Sequence, residues 1–128
     1  MTINNPEEYV KSIWDWGILK GCFYKDSSLM DIDGLYCWQS HMLMIETKGI
    51  GVIVPKPQII ALKEFSKKPK CSSLIIWGEV NNPHEWIWIH AGHGGHKKAG
   101  SIKELRTELK SWFDVANKGW WNNNGMVH

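Results

Sequence analysis

Hydrophobic and polar positions recur along this chain with two different periods, and the switches between them mark its elements. Val10, Ile13 and Trp14 follow at helical spacing behind Asn5, Pro6 and Glu8. That predicts a first helix capped by Asn5, with Pro6 in its first turn, Glu8 closing a capping box, and Gly17 as its stop. Glu7 stands three before Val10 and seven before Trp14 and shares their stripe, so the spacing predicts an acid turned to the interior. Residues 18–24, ILKGCFY, read as a short strand, and KDSS as a turn. Residues 30–38 and 41–48 alternate with period two on either side of a tight Gln39-Ser40 connection, which predicts an antiparallel hairpin. On that hairpin Asp31, Asp33 and Leu35 share one face, as do Met42, Met44, Glu46 and Lys48.

Beyond GIGVIVPKPQ the period returns to helical from about Pro57 to Lys67, with Ile59, Leu62 and Phe65 or Ile60 inward and the lysines outward. SSLIIWGEV is too apolar for a half-exposed strand and reads as a central one, buried on both faces. NNP turns the chain into EWIWIHA, where Trp86, Trp88 and His90 alternate with Ile87 and Ile89. The glycines of GHGGHKKAG argue against any regular element there. Ser101 and Glu104 form a capping box for a last helix carrying Ile102, Leu105, Leu109, Trp112, Phe113 and Ala116 inward, with Gly119 as its end. The order α-β-β-β-α-β, then β and a C-terminal α, predicts an α/β or α+β fold: a mixed central sheet flanked by helices.

Composition bounds this picture. The 128 residues predict a single domain, with a core over about 6–80, a C-terminal strand, loop and helix over 85–118, and a tail over 119–128. No window approaches 18 apolar residues and no secretory pattern opens the chain, so a cytoplasmic protein is expected. Cys22, Cys37 and Cys71 have no metal-ligand spacing and are expected to be small buried thiols. The net charge of +2 names no partner, but residues 48–70 hold six lysines (48, 56, 63, 67, 68, 70) against Glu64 alone. That excess suits a phosphate backbone; the other reading is a solvated helix face with basic residues at its end. Arg106 is the sole arginine, which speaks against bidentate reading of guanines.

Charges on an otherwise apolar hairpin need compensation, because an unpaired charge in apolar surroundings is costly or is driven to neutralise. Carboxylates from Asp33 and Glu46 converging on one point would bind a hard cation, and Mg²⁺ takes one or two protein carboxylates plus water and phosphate. Lys48, two residues beyond Glu46 on the same face, would orient or deprotonate a water and stabilise charge on a phosphate under attack.

Asp33 followed by Glu46-x-Lys48 on the next strand, with a helix before and a helix and strand after, resembles the PD-(D/E)XK nuclease superfamily over residues 6–80. That superfamily includes restriction enzymes, Holliday-junction resolvases and phage exonucleases, and the runs DIDGLYCW and MLMIETKG look like small phage members. The resemblance implies a restriction-endonuclease-like fold and a Mg²⁺- or Mn²⁺-dependent deoxyribonuclease. It implies that Asp33 and Glu46 hold the metal, that Lys48 acts on water, that Glu7 joins from the first helix, and that Gln58 stands close by. DNA would be the partner, with Lys56, Lys63, Lys67, Lys68 and Lys70 on its backbone, and dimerisation would let such a protein act on two strands. The sequence departs from the signature at Ile32, where the family's proline would precede the acid.

Other readings stand beside this one. Glu46 and Lys48 also suit an edge hairpin whose polar end lies in water, a surface pair worth under about 1 kcal/mol. Asp31 is either a second metal contact or the solvent end of its strand. The chain also suits a catalytically inactive protein of the same fold that binds nucleic acid or a host protein. His90, His93 and His96 would suit Zn²⁺, a phosphate-touching loop, or an inert connection. Of nine tryptophans, Trp14, Trp77, Trp112 and one face of Trp86/Trp88 are expected in the core. Trp120 and Trp121 would stack on bases or pack on a second subunit.

Overall fold

A computed structural model describes residue 7, residues 12–27 and residues 29–123. The chain divides into two compact units, Met1–Asp31 and Ile32–His128.

In the first unit Glu7 and Ser12 are helical, residues 8–11 lie outside the described set, and residues 13–15 are irregular, so the expected helix does not run on to Gly17. Ile13 and Trp14 are exposed, and so is Glu7, against the interior placement predicted for all three. The expected strand over 18–24 is absent. Two 3-10 turns stand at Trp16–Leu19 and Tyr24–Asp26, because Asp15 caps the first through the N–H of Gly17 at 2.9 Å. Positive φ at Gly21 (87°) and Lys25 (49°) breaks extension between and within them.

The second unit is α+β. Strand β1 (Gly34–Trp38) returns through Gln39 and Ser40, both at positive φ as a type I′ turn requires, into β2 (His41–Lys48). Helix α1 (Lys56–Ser66) then crosses over, and β3 (Cys71–Glu79) pairs parallel to β2. β4 (Asn82–His90) returns antiparallel, and two-residue strands β5 (His93–Gly94) and β6 (Lys98–Ala99) pair with its Ile89–His90 end and with Glu85–Trp86 at its middle. The sheet is six-stranded, in the order β1-β2-β3-β4-β5 with β6 also on β4, and mostly antiparallel. Helix α2 (Ile102–Asn123) ends the described chain.

Each strand's alternation feeds a separate apolar layer. Val54, Leu62, Ile75, Trp77 and Ile89 are buried on the α1 face, and Leu43, Leu74, Trp86 and Leu105 on the α2 face. β3 lies between them, with adjacent Leu74 and Ile75 only 0% and 2% exposed, as its unbroken apolar run predicts. Polar contacts tie helices to sheet. Ser73 Oγ donates to the carbonyl of Leu62, and Glu108 Oε1 accepts from the indoles of Trp86 and Trp88 and from Lys98. Gly78 sits at a register shift where a Cβ would come within 2.3 Å of the Asn82 carbonyl, so the β3–β4 turn admits no side chain there.

Several expectations are corrected. β1 begins at Gly34 rather than residue 30, because Asp33 spends its carboxylate on β2 instead of extending the ladder. Residues 91–100 do form strands, since Gly94 and Ala99 need only pair locally with β4. α2 passes through Gly119, a residue that weakens a helix by about 1 kcal/mol without having to end it. Cys22 and Cys37 are exposed and Cys71 half-buried, none of them the deeply buried thiol expected. Among the described residues no helix is long and apolar enough to cross a membrane.

Candidate active site

The hairpin assembles the site. With Gly34 opposite Ile45 and Leu35 opposite Met44, continuation of the register sets Asp33 across from Glu46. Asp33 itself lies one residue outside the strand, and its Oδ2 accepts both the N–H of Thr47 (2.9 Å) and the Thr47 hydroxyl (3.1 Å). The side chain takes over a backbone donor that a longer β1 would have used, which ends the strand and anchors the carboxylate.

Glu46 and Lys48 share the α1 face with Met44, and Lys48 Nζ stands 3.1 Å from Glu46 Oε1. Glu46 is 8% exposed, so its charge is largely desolvated. Burial pushes its carboxyl above the ordinary value of 4.5; the Lys48 hydrogen bond opposes this, and the neighbouring negative charge of Asp33 adds to it. Two carboxylates thus act on one another beside a single ammonium group. This donor set suits a hard divalent cation, which would offset the second charge, and two protein carboxylates are the number Mg²⁺ commonly takes. Among the described residues no three His, Cys, Asp or Glu side chains gather as a metal cluster.

The remaining sequence candidates are distributed differently. Gln58 lies in the first turn of α1, on the helix that follows β2, and its buried Oε1 has no hydrogen-bond partner among the described residues. Glu7 belongs to the first unit and is exposed. Asp31 is in that unit too, exposed and accepting from Trp16 Nε1 at 3.0 Å.

The lysines do not form one patch. Lys56 opens α1 at the end of the sheet where β2 finishes. Lys67, Lys68 and Lys70 lie at the other end, where the Lys70 carbonyl accepts from Met42 N–H. Six residue steps along β2 take the chain from Met42 to Lys48, about 20 Å along the strand. Lys67 is also paired with Glu64 at 2.8 Å.

The histidine run is likewise divided. Trp112 Nε1 donates to Ser72 Oγ, the same hydroxyl shares a hydrogen bond with His90 Nδ1 at 3.0 Å, and His90 stacks on Trp88. His90 is exposed but held by these contacts, and the partial burial of its ring lowers its pKa. Trp77 and Trp86 are buried and Trp112 half-buried as expected, while the side chains of Trp120 and Trp121 lie outside the described residues.

Thr47 is the residue that sequence reasoning missed. Its signal was its place between Glu46 and Lys48, but alternation assigns it to the opposite face, and only the early end of β1 brings Asp33 within reach of it. Comparison with family models, curated proteins and solved structures finds no match for this chain.

Proposed function

We propose that the protein is a metal-dependent deoxyribonuclease of the PD-(D/E)XK type. The observation that carries this reading is the juxtaposition on one hairpin of anchored Asp33, desolvated Glu46 and Lys48 Nζ, 3.1 Å from Glu46. The connection of that hairpin through α1 to a parallel β3 supports it, since it is the helix-and-strand order the motif resembles.

Asp33 and Glu46 would hold Mg²⁺ or Mn²⁺. When bound, the metal supplies positive charge at the phosphate and lowers the pKa of water. Thr47 holds Asp33 in position by fixing one of its oxygens. Lys48 orients the attacking water and stabilises the negative charge that grows on the phosphate as the water oxygen bonds to phosphorus and the ester oxygen leaves. Its pairing with Glu46 keeps the ammonium group at the carboxylates instead of in solvent. Gln58 carries an uncommitted buried acceptor on the neighbouring helix, suited to a water or to an ammonium proton. Lys56 and Lys63 offer contacts to the DNA backbone.

The test is incubation with supercoiled, linear and branched DNA in Mn²⁺, beside Glu46→Ala and Lys48→Ala. Cleavage by the wild type alone is expected. Nicking that persists in both variants removes these residues from the mechanism. Absence of cleavage on every substrate, together with no metal binding by calorimetry, leaves a non-catalytic binding protein.

A further inference from the structure

The chain leaving the site exposes what solvent-facing loops usually hide. Between β2 and α1, Ile50, Val52 and Ile53 are 58%, 46% and 88% exposed. Apolar surface gathered in one segment marks a contact for something else. The segment is held in place, since Trp77 Nε1 donates to the Val52 carbonyl at 2.7 Å.

Val52 and Ile53 border an open cavity of about 430 Å³, within the range of roughly 300–1,000 Å³ typical of small-ligand sites. Its floor is Ile75, Ile87 and Ile89, and Lys63 and Lys97 also line it. Lys97 Nζ lies 4.4 Å over the Trp77 ring and 3.3 Å from Glu85, the acid adjoining it, while Lys63 has no ion pair among the described residues. Trp77 is the register partner of Lys48 on the adjacent strand, so the cavity begins one strand, about 5 Å, from the candidate catalytic lysine.

The aliphatic floor and the two lysines match a ligand that carries an apolar face and negative charge together, beside the phosphodiester that the proposed site would cut. Paired bases in a duplex are stacked away from such a surface, whereas an unpaired base can bury its apolar face against aliphatic side chains while its phosphates reach lysines. We infer that residues 49–55 and this cavity bind an unpaired nucleobase of a single DNA strand, with its flanking phosphates at Lys63 and Lys97. The inference deepens the nuclease reading, on which it rests for the strand's path to Lys48, and names single-stranded or frayed DNA as the substrate class.

The test is fluorescence anisotropy with a labelled oligothymidylate and a blunt duplex of equal length, in EDTA so that cleavage does not intervene. Ile53→Asp is the main variant, because a side chain this exposed tolerates a charge without loss of fold, which thermal melting checks. Lys63→Glu is the second. The wild type should bind the single strand more tightly than the duplex. Ile53→Asp should weaken single-strand binding about tenfold, in the range of one lost apolar side-chain contact, and leave duplex binding unchanged. Equal binding of the single strand by wild type and Ile53→Asp overturns the inference, as does a preference for blunt duplex. The two proposals fail separately. Wild-type cleavage in Mn²⁺ with an unaffected Ile53→Asp defeats only the base surface. An Ile53→Asp binding defect with no cleavage by the wild type defeats only the nuclease reading.

Discussion

Asp33 receives two hydrogen bonds from a single residue through a single oxygen: the N–H and the hydroxyl of Thr47 both reach Oδ2, at 2.9 and 3.1 Å. Fixing one oxygen limits where the other can go, which is how an outer contact raises the affinity of a metal ligand.

Thr47→Val removes the hydroxyl and keeps the amide. Mn²⁺ affinity, read by calorimetry, should fall by about tenfold, the low end for such contacts, and Thr47→Ser should restore it. The fold should lose no more than about 1 kcal/mol, because the bond is exposed.

Glu46 yields a pH prediction with a definite sign. Its folded-state pKa is raised, chiefly by burial, with Asp33 adding to the rise and Lys48 opposing it. The folded protein therefore binds this proton more tightly than the unfolded chain. Stability falls as pH rises from the unfolded value of 4.5 through the folded one, and the loss persists at neutral pH. Without divalent metal, Glu46→Gln should melt above the wild type at pH 7, with the difference closing as pH drops below 4.5. Mn²⁺ should raise the wild-type Tm, by about 2.7 kcal/mol of stability at a hundredfold excess over Kd, and leave Glu46→Gln unmoved.

Glu108 is predicted to matter for folding alone. Its Oε1 takes the indole N–H groups of Trp86 (3.1 Å) and Trp88 (2.8 Å), and Trp86 is only 1% exposed. Glu108→Ala leaves a buried donor unpaired and should cost about 1–3 kcal/mol in urea unfolding.

Gly78→Ala should destabilise by about 1–3 kcal/mol, measured in the same way, because the new methyl would meet backbone rather than a movable side chain.

Much of the second unit was legible in the sequence because its periods were clean. Alternation in 41–48 and 85–91 and the apolar run of 72–80 predicted β2, most of β4 and a doubly buried β3, and the capping box at Ser101 and Glu104 predicted α2, whereas Asn82 and Pro83, read as turn, belong to β4. The same alternation put Glu46 and Lys48 on one face. The first unit was less legible because ILKGCFY is short and apolar, a pattern that does not separate a strand from a turn. Its outcome was decided by the Asp15 cap and by backbone angles at Gly21 and Lys25. Lysine counting failed in a different way. Residues close in sequence, Lys56 and Lys70, lie at opposite ends of the crossover, since a helix followed by a parallel strand carries the chain back along the sheet.

The catalytic role of Lys48 is decided by Lys48→Met, with cleavage of labelled DNA in Mn²⁺ compared with the wild type at matched metal occupancy. The variant should keep the carboxylates' Mn²⁺ affinity and cleave about 10²–10³-fold more slowly, the loss expected when one group stabilising transition-state charge is removed. Cleavage at the wild-type rate would contradict it.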